Sequence, residues 1–218
     1  MMADEFKFAS ADAEHTAQYL LPAVLRVLAG EGESAKTSIF DLGCGNGATA
    51  EILRQHGYEV VRVDPSTSGI REAHRAYPNL QLFVGSAYDN LAARFGRFQV
   101  VLSLEVVEHV YYPRKFAATL FSLVRPGGLA IVSTPYHGYL KNVGMALSGK
   151  LDSHFTALWD EGHIKFWSIL TLKELLKEAG FSGISFQRVG RIPVFAKSID
   201  RSGATSTKYM MQFGVRQS

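Results

Sequence analysis

The run Asp41-Leu42-Gly43-Cys44-Gly45-Asn46-Gly47 constrains the fold of this chain more than any other stretch. It joins a short apolar burst, Ile39 to Leu42, to a segment of helical periodicity, Ala48 to Gln55. Three alternating glycines let the backbone turn sharply and approach a neighbour closely, because no Cβ stands in the way. A buried strand that turns in this way into a helix is the opening unit of a parallel sheet. The same rhythm recurs downstream. Strands are expected at Glu59 to Val63, Leu80 to Val84, Phe98 to Ser103, Leu129 to Ser133 and Ile184 to Arg188, with a last one within Lys208 to Phe213. Helices are expected at Ala17 to Leu28, Ser66 to Ala76, Arg114 to Val124 and from Thr171, whose hydroxyl forms a capping box with Glu174, to Ala179. Apolar strands alternating with amphipathic helices predict an α/β fold, a mostly parallel sheet with helices on both faces.

At 218 residues, 47% apolar and 20% charged, the chain suits one packed domain over 1–218. Residues 134–167 break the alternation with glycines, histidines and aromatics. They are expected to form a lid-like insertion near the site, part of it helical. The net charge of +3 is not gathered into a basic run, which argues against a nucleic-acid partner. One cysteine excludes an intramolecular disulfide. Met1 to Ala13 carries acids and no continuous apolar core, and no apolar run reaches the roughly 20 residues of a membrane span. A cytoplasmic location without integral membrane association is expected. Surface contact of Lys141 to Lys150 with a membrane is the weaker alternative.

The glycine spacing is G-x-G-x-G, whereas the dinucleotide fingerprint is G-x-G-x-x-G. Asp41 would repel a pyrophosphate but suits a ligand with an ammonium and a sulfonium. That points to S-adenosylmethionine over a nicotinamide dinucleotide, with Asp41, Gly43 and Gly45 at the amino end. Asp64, ending the second strand, can accept from both ribose hydroxyls, or serve as a helix cap beside Pro65. Ser86, Ala87 and Tyr88 follow the third strand, where the adenine edge should lie. Tyr88 either flanks the base or packs in the core.

Asp41 to Gly47, Val63-Asp64, Leu104 to His109 and Arg125-Pro126-Gly127-Gly128 resemble the motifs of class I S-adenosylmethionine-dependent methyltransferases. The resemblance covers roughly Ile39 to Phe186. It implies a Rossmann-like seven-stranded sheet with one antiparallel edge strand and Leu104 at the donor. Ser86 stands where many relatives carry an acid, and Gln99 where many carry Asp.

Beyond the fourth strand, a helix beginning at Glu105 would set Glu105, Glu108 and His109 on one face. His163 follows beside Trp167. Glu-x-x-Glu-His with a later His resembles the metal site of ubiquinone-biosynthesis O-methyltransferases and of small-RNA 2′-O-methyltransferases. By that resemblance, Glu105, Glu108, His109 and His163 are candidate ligands for Mg²⁺ or a similar ion, and candidate catalytic groups. A cation lowers the pKa of an acceptor hydroxyl, and a histidine can take its proton without one. A solvated helix face and a core histidine are the bland alternatives. Tyr136, His137, Tyr139, His154, Phe155 and Trp159 can line an aromatic acceptor pocket, and Arg188, Arg191 and Lys197 can meet an anionic acceptor. Together these residues predict methyl transfer to a small-molecule acceptor, with oxygen as the receiving atom. RNA 2′-O-methylation, nicotinamide-dependent oxidoreduction and non-catalytic cofactor binding are the alternatives.

Overall fold

The computed structural model describes residues 17–155, 157–158, 162–189 and 210–217. Trp159, Arg191 and Lys197 lie outside them. In chain order the elements are α1 (Ala17–Ala29), β1 (Ser38–Leu42), α2 (Ala48–Gln55), β2 (Glu59–Asp64), α3 (Thr67–Ala76), β3 (Gln81–Val84), α4 (Leu91–Phe95) and β4 (Phe98–Leu104). They continue with α5 (Pro113–Leu123), β5 (Val124–Pro135), α6 (Tyr139–Leu147), α7 (Leu151–Phe155), α8 (Ile169–Glu178), β6 (Phe181–Val189) and β7 (Met210–Gln217). The strands lie in the order β3-β2-β1-β4-β5-β7-β6. The first five are parallel, and β7 is antiparallel to both β5 and β6. The fold is thus α/β and Rossmann-like, with a mostly parallel sheet. β7 starts later and runs further than the span Lys208 to Phe213.

Alternation along the strands divides the interior in two. Phe40, Leu42, Val63, Val101 and Val132 face one way and pack with Phe116 and Leu120 of α5 and Leu172 and Leu176 of α8. Ile39, Val60, Val100, Leu102 and Ile131 face the other way and pack with Val24 and Leu28 of α1 and Leu53 of α2. Order reverses at β1: the chain first builds outward through β2 and β3, then crosses to β4. The crevice at that reversal, beyond the carboxyl ends of β1 and β4, is where open α/β sheets bind ligands.

Several boundaries differ from the sequence expectation for local physical reasons. Arg125 to Gly128 form a bulge inside β5 instead of a turn before it: Phe98 pairs with Val124, and Val100 already pairs with Leu129. The cap of α8 is Ser168, whose hydroxyl accepts from the Thr171 amide while Thr171 Oγ1 accepts from the Ser168 amide. Thr171 is therefore the third helical residue of a capping box, and the Thr171–Glu174 pairing does not form the cap. Within residues 134–167, α6 and α7 make a short helical pair. Tyr139, Leu140 and Leu147 of α6 are 80%, 82% and 85% exposed, and α6 buries none of its residues. No described helix is long and apolar enough to cross a membrane.

Candidate active site

The glycine loop opens at the tip of β1, where the Gly43 and Cys44 amides both donate to the Val63 carbonyl at 2.8 and 3.2 Å. Gly43 has φ +86°, and a Cβ there would lie 2.4 Å from Val106 Cγ2. Only glycine allows the β1 loop and the segment after β4 to touch at this point. The Gly45 amide donates to Asp64 Oδ2 at 2.7 Å, and the Ser66 amide to Asp64 Oδ1 at 2.8 Å. Asp64 is thereby fixed between the two loop tips. The Ser66 side chain, not Asp64, caps α3 by accepting from the Gly69 amide.

Asp41 is 2% exposed, and its Oδ2 is buried without a hydrogen-bond partner among the described residues. Burial pushes its carboxyl up to about 7, opposed by the Arg62 guanidinium and reinforced by the negative Asp64. Burial likewise raises the Cys44 thiol, with Asp41 and Asp64 adding to the effect, so this cysteine is not a thiolate nucleophile.

After β3, the Ser86 amide donates to Asp89 Oδ2 at 2.7 Å and the Tyr88 amide to Ser86 Oγ at 3.2 Å. Asp89, which the sequence reading passed over, supplies the acid of this loop three residues after Ser86. Tyr88 is neither core packing nor free: its hydroxyl accepts from the Tyr111 and Tyr112 amides at 2.7 and 3.1 Å. It ties the β3 loop to the segment that enters α5.

The segment after β4 is not the expected helix. Glu105 has φ +59°, and residues 107–109 form a turn closed by the His109 amide on the Val106 carbonyl at 2.9 Å. Ser133 of β5 causes the departure. Its carbonyl and hydroxyl both accept from the Glu105 amide, at 3.1 and 3.0 Å, and its hydroxyl donates to Glu105 Oε1 at 2.8 Å. Glu105 is thus turned toward β5, and the shared helical face of Glu105, Glu108 and His109 does not exist. Glu108, His109 and His163 do converge: one ligand atom from each lies within 4.8 Å of the others. The His109 and His163 rings meet edge to face at 4.9 Å.

His163 arrives by a backbone tether. The Ile164 and Lys165 amides donate to the Glu108 carbonyl at 3.0 and 2.9 Å, and Trp167 Nε1 donates to the Val107 carbonyl at 3.0 Å. Trp167 also bridges Tyr136, and its carbonyl accepts from the His137 amide at 2.8 Å. His137 is enclosed by His154, Phe155 and Phe166, with ring centroids at 5.3, 6.1 and 4.9 Å. Burial pushes its imidazole down to about 3, and Lys141, His154 and His163 add to that. It is neutral at pH 7. Arg188 lies over the Tyr136 ring at 5.1 Å, while Tyr139 points outward. Phe166 joins this box unforeseen; its place beside Trp167 in an aromatic run was the available signal.

A family described as a methyltransferase domain matches residues 13–185. A ubiquinone biosynthesis O-methyltransferase of a Caulobacter species is 37% identical over 125 residues, 56% of this chain and 48% of that protein. One from Mesorhizobium japonicum is 32% identical over 171 residues, 77% of this chain and 62% of that protein. The chain therefore spans less than two thirds of the length of either relative. In three dimensions it resembles the magnesium protoporphyrin IX methyltransferase of Synechocystis, solved with S-adenosylhomocysteine. The TM-score is 0.66 at 19% identity, over 91% of this chain and 82% of that one.

Proposed function

This chain belongs to the class I S-adenosylmethionine-dependent methyltransferase family, and from that premise we propose that it moves the sulfonium methyl of S-adenosylmethionine to a hydroxyl oxygen of a small aromatic acceptor. The contact of Val106 with Gly43 carries the reading. It brings the loop suited to the donor and the turn bearing Glu108 and His109 to one crevice. There Asp41, Gly43 and Gly45 take the amino end and Asp64 the ribose. Leu104, Ser86, Ala87 and Tyr88 form the adenine rim. Glu108, His109 and His163 face the acceptor. The curated relatives' role in ubiquinone biosynthesis favours a phenolic acceptor, and the box of His137, His154, Phe155 and Phe166 supports an aromatic ring beside the cluster.

The reaction is an in-line displacement, so the protein's task is positioning and charge placement. The methyl carbon–sulfur bond breaks as the carbon–oxygen bond forms, sulfur leaves as neutral S-adenosylhomocysteine, and the hydroxyl proton passes to an imidazole of His109 or His163. One carboxylate and two imidazoles form a donor set that fits a divalent ion, with the nitrogens favouring a transition ion over Mg²⁺. When bound, such an ion would lower the hydroxyl pKa and orient the oxygen. Glu105 supports the turn through Ser133 instead of joining this set.

Calorimetric titration with S-adenosylmethionine tests the donor site. Asp64→Ala should weaken binding at least about tenfold, as expected for losing charge-assisted hydrogen bonds. Unchanged affinity in a folded variant would remove the ribose assignment. Turnover should be measured on phenols, sugars and small RNA, after chelation and after return of Mg²⁺, Mn²⁺ or Zn²⁺. Full activity in chelator would leave His109 and His163 as bases without a metal. Turnover on RNA alone would move the acceptor class.

A further inference from the structure

We propose that Arg62 is the built-in counter-charge of the donor site: from inside the sheet it favours the ionised form of the Asp41 carboxylate, which serves the cationic end of S-adenosylmethionine. Arg62 is a positioning residue, and the proposal rests on the reading that Asp41 serves the donor's amino end.

Arg62 lies in the middle of β2 and is 1% exposed, the largest of the fully buried side chains. In the parallel pairing of β1 with β2 it is the register partner of Asp41. Paired residues of adjacent strands project to the same side of a sheet. That side is otherwise lined by Ile39, Val60 and Leu102. Arg62 donates Nη2 to the Ala50 carbonyl of α2 at 3.2 Å, while Nε and Nη1 are buried without an acceptor among the described residues. A guanidinium does not shed its proton at any physiological pH, so burial among apolar side chains is costly unless a negative charge stands close. Asp41 is that charge, and its own Oδ2 is likewise buried without a partner among the described residues.

The dependence also runs the other way. Three influences act on the Asp41 carboxyl: burial and the Asp64 charge favour its neutral form, and Arg62 alone favours the ionised one. The Cys44 thiol on the same loop is held protonated, and so contributes no negative charge beside Asp41. From α2, Glu51 attracts and Arg54 repels the guanidinium. Without Arg62 the Asp41 carboxyl would be neutral over more of the working pH range and would lose its attraction for an ammonium and a sulfonium.

The test is titration of the full chain with S-adenosylmethionine between about pH 5.5 and 8.5, since ligand affinity follows the protonation of a group that the ligand needs charged. In the wild type, affinity should climb with pH through neutrality. In Arg62→Met the climb should move to higher pH, with binding about tenfold weaker near neutrality. Arg62→Lys, which keeps the charge, should restore most of it. In an Asp41→Asn background the climb should vanish, and adding Arg62→Met should change affinity by less than about twofold. A purely structural Arg62 would weaken binding equally at every pH and in both backgrounds, which overturns the proposal. Should Arg62→Met fail to fold, the wild type and Asp41→Asn still decide: a flat wild-type profile, or the same slope in both, refutes it. A wild type that binds no donor at any pH would instead refute the reading of the site itself.

Discussion

Asp41 and His137 are buried titratable groups, and they tilt stability with pH in opposite directions. The Asp41 carboxyl moves from 3.8 in the unfolded chain to about 7 in the fold. Below 3.8 it is neutral in both states and costs nothing. As pH rises toward 7 the unfolded state ionises first, so stability falls, and above 7 the full cost stands, up to about 4 kcal/mol at 1.4 kcal/mol per unit. Asp41→Asn also removes the counter-charge of Arg62, a cost that does not depend on the Asp41 titration, so relative to the wild type it should melt higher near about pH 8 than it does near about pH 4. Thermal unfolding at the two pH values checks this. His137 falls from 6.5 to about 3. Its folded form refuses a proton that the unfolded chain accepts below 6.5, so stability is present above 6.5 and is lost as pH drops toward 3. His137→Phe should lessen the loss of urea resistance between about pH 7.5 and 5. Arg62, like Asp89 and Phe166, was missed by sequence reading. Its signal was a charge inside the apolar run Glu59 to Val63, in a strand expected to be buried on both faces.

At the scale of elements, the glycine loop tolerates the least change. Gly43→Ala would place a side chain at φ +86° and drive its Cβ into Val106. Left-handed backbone and overpacking together should cost about 2–4 kcal/mol, with loss of donor binding, measurable by chemical denaturation and calorimetry. The helices differ sharply from one another. Leu120 in α5 is fully buried, and Leu120→Ala should cost about 2–5 kcal/mol, whereas Leu140→Ala in the exposed α6 should stay within about 0.5 kcal/mol. Parallel denaturation curves distinguish the two. Elements with local causes were legible in the sequence: α2 follows its glycine loop, and α8 stops before Gly180, whose φ is +105°. The turn after β4 was not, because Ser133, far along the chain, captures the Glu105 amide and defeats a helix that its neighbours alone would favour. The convergence of Glu108, His109 and His163 was legible as a motif. The reason it survives without that helix, the tether of 164–165 to the Glu108 carbonyl, was not.

The whole molecule joins a parallel half, β1 to β5, to an antiparallel end in which β7 lies between β5 and β6. β7 is the last strand in the chain but not the last in the sheet. A chain ending before Met210 would leave the β5 edge without its partner, and it should be more prone to aggregate, as light scattering would reveal. The pinch between Tyr136 and Trp167 has a different consequence. The residues between them leave and re-enter the body at one place, already joined there by backbone and by the His137 amide. Changing the length of the excursion therefore adds little closure entropy and need not disturb His163, which is anchored on the Glu108 side. The α6–α7 stretch is thus predicted to be an exchangeable cassette: a change in its length should leave affinity for S-adenosylmethionine unaltered, which calorimetry would check.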